Sequence, residues 1–205
     1  MNVEEVLPFE LNETLNSYEF DDEAGLVIES INHRDDIIAI TFSIRFDADK
    51  NTPNHLWLIT ARGVEIMHTL ITWTQEIKLY NKHTLLLEFI DIETELYFNG
   101  TTGNPQGLFV DIGLELSNLA GNDIDVVNYI IPFPEVNKLS QQQYGLFAKG
   151  PKTILEVYAR CLTKNGIKPI FIGEYEPTEA NKSLRLLRFG ESYCIGHTFK
   201  FERLS

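Results

Sequence analysis

The stretch LLLEFIDIETELYFNG, residues 85–100, decides how the middle of the chain is read. As an extended strand it sets Asp91, Glu93 and Glu95 on one face and Ile90, Ile92, Leu96 and Phe98 on the other. Three carboxylates so spaced admit four readings: a catalytic pair, a hard-cation site, a docking surface, or the solvated side of a sheet. Neighbouring members stand about 6.5 Å apart, a separation that inverting glycosidases use. Nothing nearby identifies the aromatic-lined cleft or the raised carboxyl pKa which that chemistry also needs. A hard cation usually draws its oxygens from a loop able to wrap it. The solvated face is the plainest reading; a docking face for a basic partner is the sharper one.

Charge favours the sharper reading. The chain of 205 residues has a formal net charge of −13, unevenly spread. Residues 1–82 carry 15 acids and 6 bases, residues 83–137 carry 9 acids and no Lys or Arg, and residues 138–205 carry 6 acids and 11 bases. A base-free segment of that length presents a surface that repels nucleic acid and attracts basic proteins, unless the basic C-terminal third answers it inside the fold. Direct nucleic-acid binding is therefore not expected.

Working outward from the opening stretch, GLVIESI (25–31) and DIIAITFSIRF (36–46) read as a hairpin joined by Asn32-His33-Arg34-Asp35. HLWLITA is a third strand, punctuated by Arg62-Gly63. Residues 64–80 fit both periods, and their β-branched and aromatic density favours strand. Asn104, Pro105 and Gly121 frame a helix at about 105–120 whose stripe is Leu108, Phe109, Ile112, Leu116 and Leu119. VVNYIIPFP (126–134) reads as a short strand stopped by prolines. A second helix at about 151–165 runs from Pro151 to Gly166 with the stripe Ile154, Leu155, Tyr158, Cys161 and Leu162. Three strands close the chain, the last two joined by Gly190-Glu191. The expected class is α+β: mainly antiparallel sheet with two principal helices. The length suits one domain over 1–205, with an acidic, sheet-rich layer to residue 137 and a basic α/β layer after it.

Hydrophobic residues at 43% supply a core, and no apolar run approaches the roughly 18 residues of a membrane span. The start, MNVEEVLPFELNE, lacks the basic and then apolar pattern of a secretory signal. Two cysteines make no disulfide framework. A cytoplasmic protein is the expectation.

The usual chemical templates fail in turn. Asp47, Asp49 and Asn51 begin a calcium loop, but Thr52 stands at its glycine and Leu58 at its glutamate. GTTGNPQG matches neither a P-loop nor a dinucleotide fingerprint. GESYCIG has Cys194 where a nucleophile elbow needs glycine. The five histidines show no metal-ligand spacing, and His197, alternating with Ile195, Phe199 and Phe201, reads as a core histidine. Lys149, Gly150 and Lys152 flank a helix N-terminus and form the candidate anion site. Nothing calls for a metal or another cofactor.

The reading that remains is a non-catalytic, acidic interaction protein. It presents Asp91, Glu93, Glu95, Asp111 and Glu115 to a positively charged protein, as immunity proteins mask the groove of a nuclease. Its rival is a small enzyme or ligand-binding domain whose site gathers acids, His68 or His197, and the Lys149–Lys152 corner into one pocket. A structural component of a larger assembly is the third, and an exposed apolar patch is its mark. A shallow acidic face with apolar anchors favours docking over the other two.

Overall fold

A computed structural model describes residues 2–17, 20, 23–46, 55–69, 73–121, 123–124, 129–130 and 139–205. The calcium-like residues Asp47, Asp49 and Asn51 lie outside them, as does most of the proposed strand 126–134, of which Ile130 forms a single bridge to Ala148. The fold is α+β, with mostly antiparallel sheets, and gathers into two compact units: Thr84–Lys182, and Asn2–His83 with Ser183–Ser205. The compositional boundary at 137/138 falls inside the first of these. Among the described residues no helix is long and apolar enough to cross a membrane.

The unit formed by both ends of the chain is an antiparallel sheet with a small helix. It holds β1 (Val3–Glu5), α1 (Phe9–Leu15), β2 (Gly25–Arg34), β3 (Ile37–Arg45), β4 (His55–His68), β5 (Trp73–Thr74) and β6 (Ile77–Lys82). The last two of its strands follow the other unit in sequence, at Arg185–Phe189 and Ser192–Arg203. The β2–β3 hairpin is the one the sequence predicts, with a tighter turn: Asp35 and Asp36 alone join the strands, and Asp35 takes φ 53°. Residues 64–80 are extended where described, as their β-branched content predicts. Arg62-Gly63 does not end β4. The strand runs on to His68, and its pairing slips between Val64 and Ile66, so a bulge absorbs the break that the glycine signalled.

The eight strands lie in the order β1, β6, Arg185–Phe189, Ser192–Arg203, β4, β3, β2, β5. β5 ends one side of the sheet and β6 stands next to the other side, yet only Gln75 and Glu76 separate them in sequence. So short a link requires the sheet to curl until its two ends approach. The interior is filled by alternate residues: Ile38, Ile40, Phe42 and Ile44 of β3, and Trp57, Ile59 and Ala61 of β4.

Glu29 is the extra residue where the β2–β3 pairing slips between Ile28 and Ser30. Its carboxylate accepts a hydrogen bond from buried Ser43 and an ion pair from Arg45 at 2.8 Å. The Ser43 hydroxyl, then the Arg45 guanidinium, hold its carboxyl below the usual glutamate value of 4.5. A depressed folded-state pKa contributes stability above the unfolded pKa and loses it as pH falls through the folded one. The stability advantage of the native protein over Glu29→Gln, measured by thermal melts, is therefore expected at neutral pH and should shrink as pH drops below about 4.5. An advantage constant down to the acid limit would remove Glu29 from this account.

The other unit interrupts β6 and Arg185–Phe189, which pair directly with one another, Tyr80 opposite Leu186. It contains α2 (Leu87–Ile90), β7 (Glu93–Asn99), α3 (Pro105–Ala120), β8 (Tyr144–Pro151), α4 (Lys152–Lys164) and β9 (Lys168–Tyr175). From here the remaining strands are β10 (Arg185–Phe189) and β11 (Ser192–Arg203). The opening stretch needs a correction in its first half. Thr84–Leu86 forms a 3-10 turn and Leu87–Ile90 a turn of α-helix, so the strand begins only at Glu93. Leu85, Leu86, Leu87 and Glu88 carry no β-branching and have high helix propensity, which explains the difference.

β7 is the central strand, flanked antiparallel by β8 and β9. α4 packs across all three strands and α3 packs on α4. α3 matches its predicted caps, and so does the C-terminal end of α4: Asn104 accepts from the Gly107 N–H at 3.0 Å, and Gly121 and Gly166 take φ 59° and 77° at the C-terminal ends. Pro151, by contrast, ends β8 and stands one residue before the helix it is expected to open. The α4 stripe is wholly buried, as are Leu108, Ile112 and Leu116 of α3, while Phe109 and Leu119 pack at the margin.

Candidate functional site

The predicted site residues divide between the two ends of α4. At the N-terminal end, the chain leaves α2 in extended conformation at Asp91 and laps over the first turn of α4. Asp91 Oδ2 accepts from the Thr153 N–H at 2.7 Å, and the Ile92 carbonyl accepts from the Lys152 N–H at 2.8 Å. Pro151 at the N-cap has no side chain able to cap, so Asp91 supplies the acceptor from 62 residues away. Its negative charge also suits the positive end of the helix dipole. The helix N-terminus that the sequence offers to an anion thus already holds a carboxylate of the protein.

Lys149 and Lys152 are engaged as well. Lys149 Nζ lies 3.3 Å from Glu93 and 3.8 Å from Glu95, and Glu93 raises its pKa. Lys152 Nζ pairs with Glu174 at 2.6 Å, which raises its pKa in the same way. Gly150 has a different task. A Cβ there would stand 2.5 Å from Cδ1 of Tyr129, so only glycine lets this ring lie against the strand backbone.

At the C-terminal end of α4, Asp111 accepts from Asn165 Nδ2 and pairs with Lys164 Nζ, both at 3.1 Å. Asn165, then Lys164, hold its carboxyl below the ordinary range. Asp91 and Asp111 therefore bracket a helix length of about 17 Å, given 1.5 Å per residue between Thr153 and Lys164. Glu115, one turn along α3, is exposed beside Leu114, which is 62% exposed. The five acids thus do not form one continuous stripe. The bases of the C-terminal third answer several of them within the unit, one of the two outcomes open to the charge imbalance.

The first group borders a concave feature. Among the described residues, a hollow of about 440 Å³ is lined by Glu88, Asp91, Glu93 and Lys149. Leu87, Tyr129 and Pro151 supply apolar wall. Asp91 is spent on the helix and Glu93 faces Lys149, whereas Glu88 is exposed. Burial, then the charge of Glu88, push the Tyr129 phenol up to about 12, the wrong direction for a base at neutral pH. His, Cys and Ser do not occur among the described residues of the lining. Among the described residues no three His, Cys, Asp or Glu side chains converge as a metal ion needs.

The histidines of the rival reading belong to the eight-stranded sheet. His68 packs against Tyr193 at 5.3 Å, and His197 Nδ1 lies 2.8 Å from Ser183 Oγ. His197 is half-buried beside Gly63 and is not the core histidine its alternation suggests: Ile195 before it on β11 is buried, but Phe199 and Phe201 after it are only partly so, and the core ends near this residue. Both thiols are buried and their pKa values are raised by burial, Cys194 to about 12.

Neither Glu88 nor Tyr129 stands out in the sequence. A strand over 85–92 places Glu88 on the opposite parity from Asp91, Glu93 and Glu95, and Tyr129 reaches β8 through a contact between residues far apart in sequence. No protein-family model, curated protein or solved structure matches this chain.

Proposed function

We propose that this chain is a non-catalytic docking protein for a positively charged protein partner, with the hollow at the N-terminal end of α4 as its anchor point. The observation that supports the reading is the lining of that hollow: among the described residues it has three carboxylates and one amine, with apolar wall between them, and Glu88 is the carboxylate that neither the helix nor Lys149 engages. A Lys or Arg side chain fits such a place, its stem along Tyr129, Leu87 and Pro151 and its charge toward Glu88. Masking the basic groove of a nuclease, as immunity proteins do, is one form this takes. A cytoplasmic setting goes with the proposal, and the two free buried thiols suit a reducing compartment.

The test is a pull-down at low salt with identification of bound proteins by mass spectrometry, repeated with Glu88→Lys. Captured partners should be basic. Charge reversal should weaken them about tenfold, chiefly through association rate, and binding should fall steeply with added salt. Binding indifferent both to salt and to Glu88→Lys would sink the reading.

A further inference from the structure

We infer that the outer face of the three-stranded sheet is the landing surface for that basic partner, which meets it with apolar side chains flanked by Lys or Arg. This rests on the proposed function, because the face and the hollow share Glu93 and Lys149. One side of an antiparallel sheet is normally buried and the other polar. Here α4 covers one side, and the register fixes what the other carries: Glu93 opposite Tyr175, Glu95 between Lys149 and Ile172, Tyr97 between Leu146 and Ile170, and Asn99 between Tyr144 and Lys168, so the acids stand at the hollow's end of the face and Lys168 at the far end. Tyr175 is 61% exposed, Tyr144 53% and Ile172 44%.

Tyr97 and Tyr144 stack at 5.6 Å with their planes 17° apart, and the Tyr97 hydroxyl donates to Glu95 at 3.1 Å. Tyrosines held in this way offer large, rigid contact area at little entropic cost, the character of binding hot spots. The β9 edge is less suited to receive a strand. Pro169 lacks a donor, and the β9 pairing slips near Gly173, which takes φ 74°; both features blunt a sheet edge. The occupant therefore lies on the face.

The full chain is used to select from a displayed random-peptide library at physiological salt. Enriched peptides should combine aromatic or aliphatic residues with Lys or Arg. They should bind the Tyr144→Ala/Tyr175→Ala protein about tenfold or more weakly. Ile172→Lys, an exposed position away from the Tyr97–Tyr144 stack, should weaken them too, and circular dichroism checks that each variant is folded. Basic peptides that ignore all three positions overturn the landing surface and leave the acidic hollow standing. Uncharged peptides that need the tyrosines but ignore Glu88→Lys overturn the basic partner, and the proposed function with it. A dimer dissolved by Ile172→Lys, or no enrichment at all, also overturns the inference.

Discussion

In rising denaturant, pulse alkylation is expected to label Cys161 and Cys194 in two separate transitions. Each thiol is 2% exposed, and each belongs to a different hydrophobic cluster. Cys161 packs with Leu96, Leu108 and Leu155, and Cys194 with Phe42, Ile59 and Leu187. The two clusters share no residue, so loss of one core need not open the other. Burial raises both thiol pKa values, which keeps the reactive thiolate scarce until the surrounding core opens. The connectivity leads to the same expectation. Because β6 and β10 are paired, the residues where the chain leaves and rejoins the eight-stranded unit are close, and a short turn could replace everything between them. A fragment of residues 84–182 is thus expected to fold alone, with a stability of roughly 5–15 kcal/mol from its own core. Coincident labelling of both cysteines, with an unfolded fragment, would show that the two units fold as one.

Much of this architecture is legible in the sequence, wherever local chemistry decides it. Asn104-Pro105 and Gly121 bound α3, Pro151 and Gly166 bound α4, and Gly190-Glu191 turns β10 into β11, because caps and tight turns depend on residues a few positions apart. The two-unit division is not legible. His83-Thr84 and Lys182-Ser183 carry no Pro/Gly-rich linker, and the pairing of β6 with β10 joins residues about a hundred positions apart. The candidate site was half visible. Glu93 and Glu95 lie on a strand face as their alternation requires, but parity alone joins Asp91 to them. Parity holds only while the chain stays extended, and helix α2 breaks that condition one residue before Asp91. The charge imbalance was real, but its partial answer came from Lys149 and Lys164 far along the chain.

Asp91→Ala should separate the structural carboxylate from the surface ones. The substitution leaves the Thr153 N–H without its acceptor and removes a negative charge from the start of α4, as losing an N-cap does; the expected cost is about 1–2 kcal/mol. Glu93→Gln and Glu95→Gln each weaken an exposed pair with Lys149 and should stay within about 0.5 kcal/mol of the native protein. Cys161 lies on α4 itself, so its labelling transition should move to lower denaturant in Asp91→Ala while that of Cys194 stays in place. Asp91→Asn, which retains one side-chain acceptor but no charge, should fall between the two. If Asp91→Ala instead weakened partner binding without shifting the Cys161 transition, its carboxylate would belong to the docking surface and the N-terminus of α4 would not depend on it. The expected order places Asp91 in the frame of the hollow and leaves Glu88 and Glu93 as the charges a partner meets.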